Sequence, residues 1–108
     1  MPFIDFNTKK KVKLFDGISS AIAHSDQISF CQVTLEKGAA VPEHQHVHEQ
    51  WSYVIEGQLE LTMEGETKIL QPGMGAYIPS NTPHSARSVA TCKVIDCFLP
   101  VREDFKDL

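Results

Sequence analysis

The chain has 108 residues, of which 10 are basic and 14 are acidic, so its formal net charge is −4, and 42% of its residues are hydrophobic. This composition excludes wholesale disorder, and the acidic balance excludes both the basic patch of a nucleic-acid-binding protein and an electrostatic attraction to anionic membranes. We therefore predict one domain spanning residues 1–108, with neither nucleic acid nor a membrane as its partner.

The N-terminal region has lysine at residues 9–11, and no long apolar stretch follows it. This pattern differs from that of a secretory signal peptide, and every uncharged apolar run is far shorter than the ~20 residues of a membrane helix. The chain has three cysteines, Cys31, Cys92 and Cys97, which is an odd number. We expect them to be reduced, small hydrophobic residues in the interior, and we expect the protein to be cytoplasmic.

Short alternating segments separated by turn signals fill the first half of the chain. Residues 28–35 alternate in polarity and contain β-branched side chains, which predicts a strand. Residues 17–24 are ambiguous between a strand and a short helix. Residues 51–55 and 58–63 also alternate, and Gly57 between them predicts the tight turn of a β-hairpin.

The second half of the chain continues this pattern of short strands. A turn at 64–66 precedes predicted strands at 67–70 and 76–78, and a longer strand is predicted at 92–99. Residues 102–108 are expected to form either a helical stub or a loose tail. Many short strands with frequent turn signals are typical of an antiparallel sandwich or barrel, so we predict an all-β fold.

Histidines cluster in the middle of the chain, where His44, His46 and His48 lie within five residues, and His84 follows far downstream. Alternate residues of a strand face the same side, so we expect His44 and His46 to direct two imidazoles at one point. Neutral imidazole is a common ligand of Zn, Fe, Mn, Ni and Cu. If Gln50 is also a ligand, the chain must reverse just after His46, because a straight strand would put position 50 about 20 Å from position 44.

Two stretches have the spacing of known signature motifs. Residues 38–57 follow the pattern G-x5-H-x-H-x3-Q-x6-G, which resembles the first motif of the cupin family, with Gln50 in the position of its usual glutamate. Residues 73–88 follow the pattern G-x5-P-x-N-x2-H-x3-S, which resembles the second motif, with Asn81 for a usual glycine and Ser88 for a usual asparagine. Together the two motifs span about half of the chain, and their joint spacing is highly specific.

The resemblance implies a single-domain jelly-roll β-barrel that holds one divalent transition metal through His44, His46, Gln50 and His84. The ligand types suit Ni, Zn, Mn or Fe and do not distinguish among them. Glu49 competes with Gln50 for the fourth position, and the motif spacing favours Gln50. Three neutral imidazoles and a neutral amide leave the site with a charge of about +2, where a glutamate would leave about +1, so the site is expected to prefer anionic ligands.

The last predicted strand contains one acidic residue, Asp96, on the same face as Val94 and Phe98. A carboxylate on a buried face is costly unless it is paired or functional. One hypothesis is a structural ion pair with Arg102 or Arg87. The other is a general acid/base whose pKa is raised by desolvation.

Residues 96–105, together with the first motif, resemble the small cupins of the pectin-degradation type, which linearise unsaturated monouronates released by polysaccharide lyases. The resemblance implies that Asp96 is the catalytic acid/base, that Arg102 takes part in catalysis by holding the substrate carboxylate, and that Phe98 lines the sugar site. His48 has two open interpretations, a residue that faces the substrate or a solvated turn residue.

Three hypotheses of function follow. The first is an enzyme that linearises a small anionic sugar acid, the second is a metal-dependent dioxygenase of the cupin type, and the third is a non-catalytic cupin that binds a sugar acid. We also predict a homodimer. Trp51, Tyr53 and Ile55 alternate with Ser52 and Val54, so both faces of this strand carry apolar groups and the outer face needs a cover.

Overall fold

Eight antiparallel β-strands make up most of the chain in the computed structural model, which describes residues 3–108. The strands are β1 (Val12–Phe15), β2 (Ile18–His24), β3 (Ser29–Leu35), β4 (Ala40–His44), β5 (Glu49–Met63), β6 (Glu66–Leu70), β7 (Gly75–Ile78) and β8 (His84–Leu99). A short 3-10 helix, Glu103–Phe105, follows β8. These elements confirm the all-β prediction. Within residues 3–108, no helix has the length and apolar character that a membrane crossing requires.

The two long strands, β5 and β8, pair with each other along most of their length and connect the two layers of the fold. The first half of β5 and the second half of β8 lie in one layer, in the order β1-β2-β3-β8-β5-β7. Their other halves lie in a second layer, in the order β4-β8-β5-β6. The inward-facing side chains of both layers therefore meet in one interior, as in a jelly-roll barrel.

Gly57 lies in a bend of β5, so the predicted hairpin turn at this position is wrong. Strand β5 runs without a break from Glu49 to Met63, and its register with β8 shifts on both sides of Gly57. The φ angle of Gly57 is +85°, and a Cβ atom there would collide with the carbonyl oxygen of Thr91 on β8. A glycine with positive φ serves a β-bulge as well as a tight turn, and here the bulge carries the strand from one layer into the other.

The remaining expectations have mixed outcomes. The ambiguous segment 17–24 contains the strand β2, Ile18–His24, and the C-terminal segment 102–108 contains the 3-10 helix, Glu103–Phe105. The turn at 64–66 is confirmed, since Glu64 and Gly65 have φ angles of +53° and +75° between β5 and β6. The strand predicted at 92–99 begins earlier, at His84.

The inner faces of the strands form an apolar core. Its buried members are Ile18, Cys31, Val33, Leu35, Val54, Leu59, Leu61, Leu70, Ile78, Cys92, Val94 and Phe98. Cys31 and Cys92 are buried, Cys97 is half-buried, and all three are free thiols. Burial raises the pKa of Cys31 to about 12, so its thiol is inert at neutral pH. This agrees with the expected interior positions of Cys31 and Cys92, whereas Cys97 is half-buried and outside the core.

Candidate metal centre

Three histidines converge where β4 ends and β8 begins. His44 ends β4 and is paired in register with His84, the first residue of β8. His46 lies two residues beyond the end of β4, so the prediction that His44 and His46 share a straight strand is wrong. The loop after β4 nevertheless turns His46 back toward the other two rings. One ligand atom from each of the three side chains lies within 4.8 Å of the others, which is compatible with binding to a single metal ion.

Backbone carbonyl groups orient all three imidazole rings. The Nδ1 atoms of His44, His46 and His84 lie 3.0, 2.8 and 2.8 Å from the carbonyl oxygens of Pro42, His48 and Thr82. A carbonyl oxygen can only accept a hydrogen bond, so each Nδ1 carries the proton and donates it. Each Nε2 is therefore left with a free lone pair, which is the tautomer that a metal ligand needs.

Burial favours the neutral form of two of these imidazoles, those of His46 and His84. It lowers the pKa of His46 to about 4 and also lowers the pKa of His84. Nε2 of His84 is buried and has no hydrogen-bond partner in the described part of the chain. An unpaired buried nitrogen is costly, and a neutral imidazole nitrogen is the form that binds transition metals. The donor set therefore fits a metal ion.

Gln50 lies on β5 with its side chain buried beside the histidines, as the reversal of the chain after His46 requires. Its Oε1 atom is 3.2 Å from Nε2 of His46. Both atoms are acceptors, so they repel each other unless a cation lies between them. Two ligands at ~2.1 Å from one ion are about 3.0–3.4 Å apart, which agrees with this distance. Glu49 instead accepts a hydrogen bond of 3.4 Å from the indole of Trp51 on the other face of the strand.

Asp96 lies next to this ligand cluster, opposite Ser52 in the register of β5 and β8. The Ser52 hydroxyl donates a hydrogen bond of 2.6 Å to Oδ1 of Asp96, and burial raises the pKa of this carboxyl. Neither proposed ion-pair partner reaches it in residues 3–108. Arg102 pairs with Asp104 at 2.8 Å, and the salt bridge of Arg87 goes to a glutamate of β5. The ion-pair hypothesis for Asp96 is therefore wrong.

Arg102 and its aromatic neighbours form a second wall of the site. The guanidinium carbon of Arg102 is 4.8 Å from the ring centre of Phe98 and 4.0 Å from that of Phe105. The side chain is 13% exposed, and two of its N–H groups bind both carboxylate oxygens of Asp104, at 3.0 and 2.8 Å. This packing holds a nearly buried cation in one orientation.

His48 packs on the same wall. Its ring centre lies 5.6 Å from that of His46 and 6.5 Å from that of Phe98. Burial lowers its pKa, and its Nδ1 atom is buried with no hydrogen-bond partner in the described range. These contacts show a packed residue beside the ligand cluster and disagree with the interpretation of a solvated turn residue.

One cavity of about 390 Å³ borders most of these groups, but His46 and His48 are not among its lining residues. Its polar lining includes His44, His84, Gln50, Ser52, Asp96 and Arg102, and the rest of the lining is largely apolar. The volume is within the range of small-molecule sites. Sequence analysis gave no role in the site to Ser52, Asp104 or Phe105. Strand alternation could have identified Ser52, which lies two residues after Gln50 on the same face of β5.

Comparison with known proteins identifies the family. The sequence profile of the cupin domain matches residues 31–98. The pectin degradation protein KdgF of Dickeya dadantii (strain 3937) is 38% identical over 106 residues, which cover 95% of this chain and 96% of that protein. The structure of KdgF from Halomonas sp. superposes with a TM-score of 0.91 at 32% sequence identity, and the match covers 97% of this chain and 98% of that one.

A second type of relative matches a shorter stretch. Quercetin 2,3-dioxygenase of Bacillus subtilis (strain 168) is 49% identical over 53 residues, which cover 47% of this chain and 15% of that protein. The profile match, the converging histidines and the near-complete matches to two KdgF proteins agree with one another. The chain belongs to the cupin family.

Proposed function

We propose that this chain is a metal-dependent enzyme that converts 4,5-unsaturated monouronates from pectin or alginate breakdown into linear keto sugar acids. The observation that supports this most strongly is the position of Asp96, which is held by a 2.6 Å hydrogen bond and lines the same cavity as His44, His84 and Arg102. A proton-transfer group, metal ligands and a cation then face one substrate. The similarity to the pectin degradation protein KdgF supports the same substrate class.

The proposed reaction is an isomerisation that consumes no oxidant. The ring C1–O5 bond breaks as the hydroxyl on C1 loses its proton and O5 takes one up, which leaves an aldehyde at C1 and an enol at C5. The enol then becomes a ketone as C4 takes up a proton and the hydroxyl on C5 loses one. These steps need a group that accepts and returns a proton near neutral pH. Asp96 suits this role because burial raises its pKa.

Arg102 is proposed to hold the substrate carboxylate. A guanidinium has five N–H donors, and Asp104 occupies two of them, so donors remain for a second carboxylate. Phe98 packs against the guanidinium and lines the cavity, where it offers an apolar surface to the sugar ring. His48 lies against Phe98 and is proposed to be a further contact of the substrate.

His44, His46, His84 and Gln50 are proposed to hold one divalent transition metal, which is Ni, Zn, Mn or Fe. When bound, such an ion polarises substrate oxygens as a Lewis acid. Because all four ligands are neutral, they leave the charge of the ion uncompensated, and this attracts an anionic sugar acid.

Metal analysis of the purified protein, followed by an absorbance assay, tests this function. We expect about one ion per chain and a loss of the ultraviolet absorbance of the conjugated double bond when an unsaturated monouronate is added. Removal of the ion with a chelator is expected to stop the loss. A fully loaded protein that binds the sugar acid and leaves its absorbance unchanged would contradict the enzymatic proposal and favour a non-catalytic binding cupin.

The alternative function is a cupin-type dioxygenase, which the short match to quercetin 2,3-dioxygenase favours. A three-histidine site also suits Fe, which can activate dioxygen. Dioxygen uptake by the iron-loaded protein with a candidate substrate would support this alternative.

We further propose that the protein is a cytoplasmic homodimer. Its three free cysteines suit a reducing compartment. The outer face of β5 exposes large apolar side chains, of which Trp51 is 57% and Tyr53 is 51% exposed. A second copy of the chain would cover this face.

A further inference from the structure

Ser52 joins the metal ligand Gln50 to the acid/base Asp96. It lies on β5 two residues after Gln50, so the two side chains share the inner face of the strand. In the register of β5 and β8 it is directly opposite Asp96. All three side chains line the cavity, and Ser52 and Gln50 are buried. The ligand set and the proposed reaction leave Ser52 without a role.

The number of hydrogens on each group fixes the direction of the hydrogen bonds between Asp96, Ser52 and Gln50. A serine hydroxyl has one hydrogen, and the 2.6 Å contact directs it to the Asp96 carboxylate. Toward Gln50 the Ser52 oxygen can then only accept, and it accepts a hydrogen bond of 3.0 Å from Nε2 of Gln50. The amide nitrogen of Gln50 therefore faces Ser52. The amide oxygen faces Nε2 of His46, at 3.2 Å.

We propose that Ser52 is a positioning residue that orients the Gln50 amide oxygen toward the metal and holds Asp96 in place at the same time. The part that concerns Asp96 rests on the proposed function, whereas the part that concerns Gln50 rests only on the ligand geometry. An amide has one oxygen and one NH2 group of similar size, and rotation of its terminal bond exchanges them. The other acceptor near this NH2 group is the carboxylate of Asp96, which the Ser52 hydroxyl itself holds in place, so loss of the hydroxyl weakens both restraints on the amide.

A carboxylate at position 50 would need no such orientation, since its two oxygens are equivalent. The proposal therefore predicts that the effect of Ser52 on metal binding depends on the residue at position 50. A purely structural role for Ser52 predicts the same effect with either residue. This difference distinguishes the two roles.

The test is a double-mutant cycle that measures the affinity for Co²⁺ by competition with a chromogenic chelator. The four proteins are the natural chain, Ser52→Ala, Gln50→Glu and the double variant. We expect Ser52→Ala to weaken Co²⁺ binding about tenfold with Gln50 present, as loss of a group that orients a ligand usually does, and less than twofold with glutamate there. Equal losses in both backgrounds, or no loss in either, would overturn the proposal.

A matched pair of variants keeps the test valid if Ser52→Ala does not fold. Ser52→Thr retains the hydroxyl, and Ser52→Val has nearly the same shape as the threonine variant but lacks the hydroxyl. We expect the threonine variant to bind Co²⁺ within about threefold of the natural chain and the valine variant to lose about tenfold. Similar affinities in the two variants would contradict the proposal.

Turnover separates this inference from the proposed function. We expect Ser52→Ala to lower kcat for an unsaturated monouronate more than it raises KM, because Asp96 loses its orientation while Arg102 keeps its contacts. If the effect of Ser52→Ala on Co²⁺ affinity depends on the residue at position 50 but none of the proteins shows turnover, the proposed function is refuted. The orientation of Gln50 by Ser52 is then still supported. Turnover without coupling between positions 50 and 52 in the Co²⁺ cycle would support the proposed function and refute the orientation of Gln50 by Ser52.

Discussion

Gln50 stands where the first cupin motif usually has a glutamate, and its neutral amide changes the charge of the candidate site. Its oxygen faces Nε2 of His46 at 3.2 Å, in the arrangement that two ligands of one ion adopt. A carboxylate would lower the charge of the loaded site from about +2 to about +1. The charge and the hydrogen-bond direction of one side chain therefore affect both the metal and the ligand that approaches it.

The variant Gln50→Glu is expected to keep or tighten metal binding and to weaken the binding of anionic ligands, because the charge that attracts them falls by one. Chelator competition measures the first effect, and titration with galacturonate, a saturated uronate, measures the second. Glu49→Gln is the matched control, since Glu49 contacts Trp51 on the other face of β5. Tighter galacturonate binding by Gln50→Glu would contradict the electrostatic argument.

For Asp96→Asn we expect an intact fold, a normal metal content and a turnover that falls by about 10²–10⁴, the usual contribution of general acid–base catalysis. The amide oxygen can still accept the hydrogen bond from Ser52, so the network around Gln50 survives. A thermal melt run beside the turnover assay checks both parts. A destabilised variant with near-normal turnover per folded molecule would reject the catalytic role of Asp96.

The residues of the site were predictable from sequence to different degrees. The histidines and Gln50 belong to a spaced motif, and Asp96 was recognisable as an acidic residue on an apolar strand face. Two carboxylates, those of Asp96 and Asp104, are candidate partners of Arg102. The pairing with Asp104 was not predictable, because it depends on the path of the chain after β8. A serine in an alternating strand has no distinct signal of its own, so only the spacing of two residues from Gln50 points to Ser52.

At the scale of the elements, Gly57 explains where sequence analysis of the fold failed. Alternation on both sides of a glycine is equally consistent with a hairpin and with a bulge, because both need a positive φ. The difference lies in the partner strand, since the backbone of β8 at Thr91 passes too close to Gly57 for any Cβ. Such a long-range approach leaves no trace in the local sequence. The strands themselves were predictable wherever their alternation was regular.

The variant Gly57→Ala is expected to destabilise the protein by about 2–5 kcal/mol, because left-handed backbone strain adds to a steric collision. Gly73→Ala is the matched control. Its φ angle is +89°, but nothing lies within 4 Å of the added Cβ, so about 1–2 kcal/mol is expected. Urea denaturation of both variants makes the comparison. Equal losses would show that the close approach of β8 contributes nothing.

At the scale of the whole molecule, one outer surface differs from the rest. The outer face of β5 and the adjacent β7 carry Trp51 and Tyr77, whose ring centres are 4.8 Å apart, and both side chains are exposed. Tyr53 extends this aromatic surface along β5. The aromatic surface lies on the layer that also provides Gln50 and Asp96. A partner bound to this surface would therefore stiffen the strands that hold the site.

We expect light scattering at micromolar concentration to give a particle of twice the 12.1 kDa chain mass. Trp51→Glu should shift the particle toward the monomer, because it places a charge in the centre of the aromatic surface. Ile69→Glu is the control, since Ile69 is an exposed apolar residue on β6 in the other layer. A 12.1 kDa particle for the natural chain would contradict the dimer.

The central claim is that the cavity linearises an unsaturated uronate with the help of a bound metal and Asp96. Proton NMR of a 4,5-unsaturated monouronate in D2O, recorded with the metal-loaded protein, tests it most directly. The account predicts that the vinyl signal of C4 disappears as the linear keto acid forms with one deuterium at C4, and that chelator-treated protein and Asp96→Asn leave the signal nearly unchanged over the same time. A vinyl signal that persists with fully loaded natural protein, or that decays equally fast with all three samples, would contradict it.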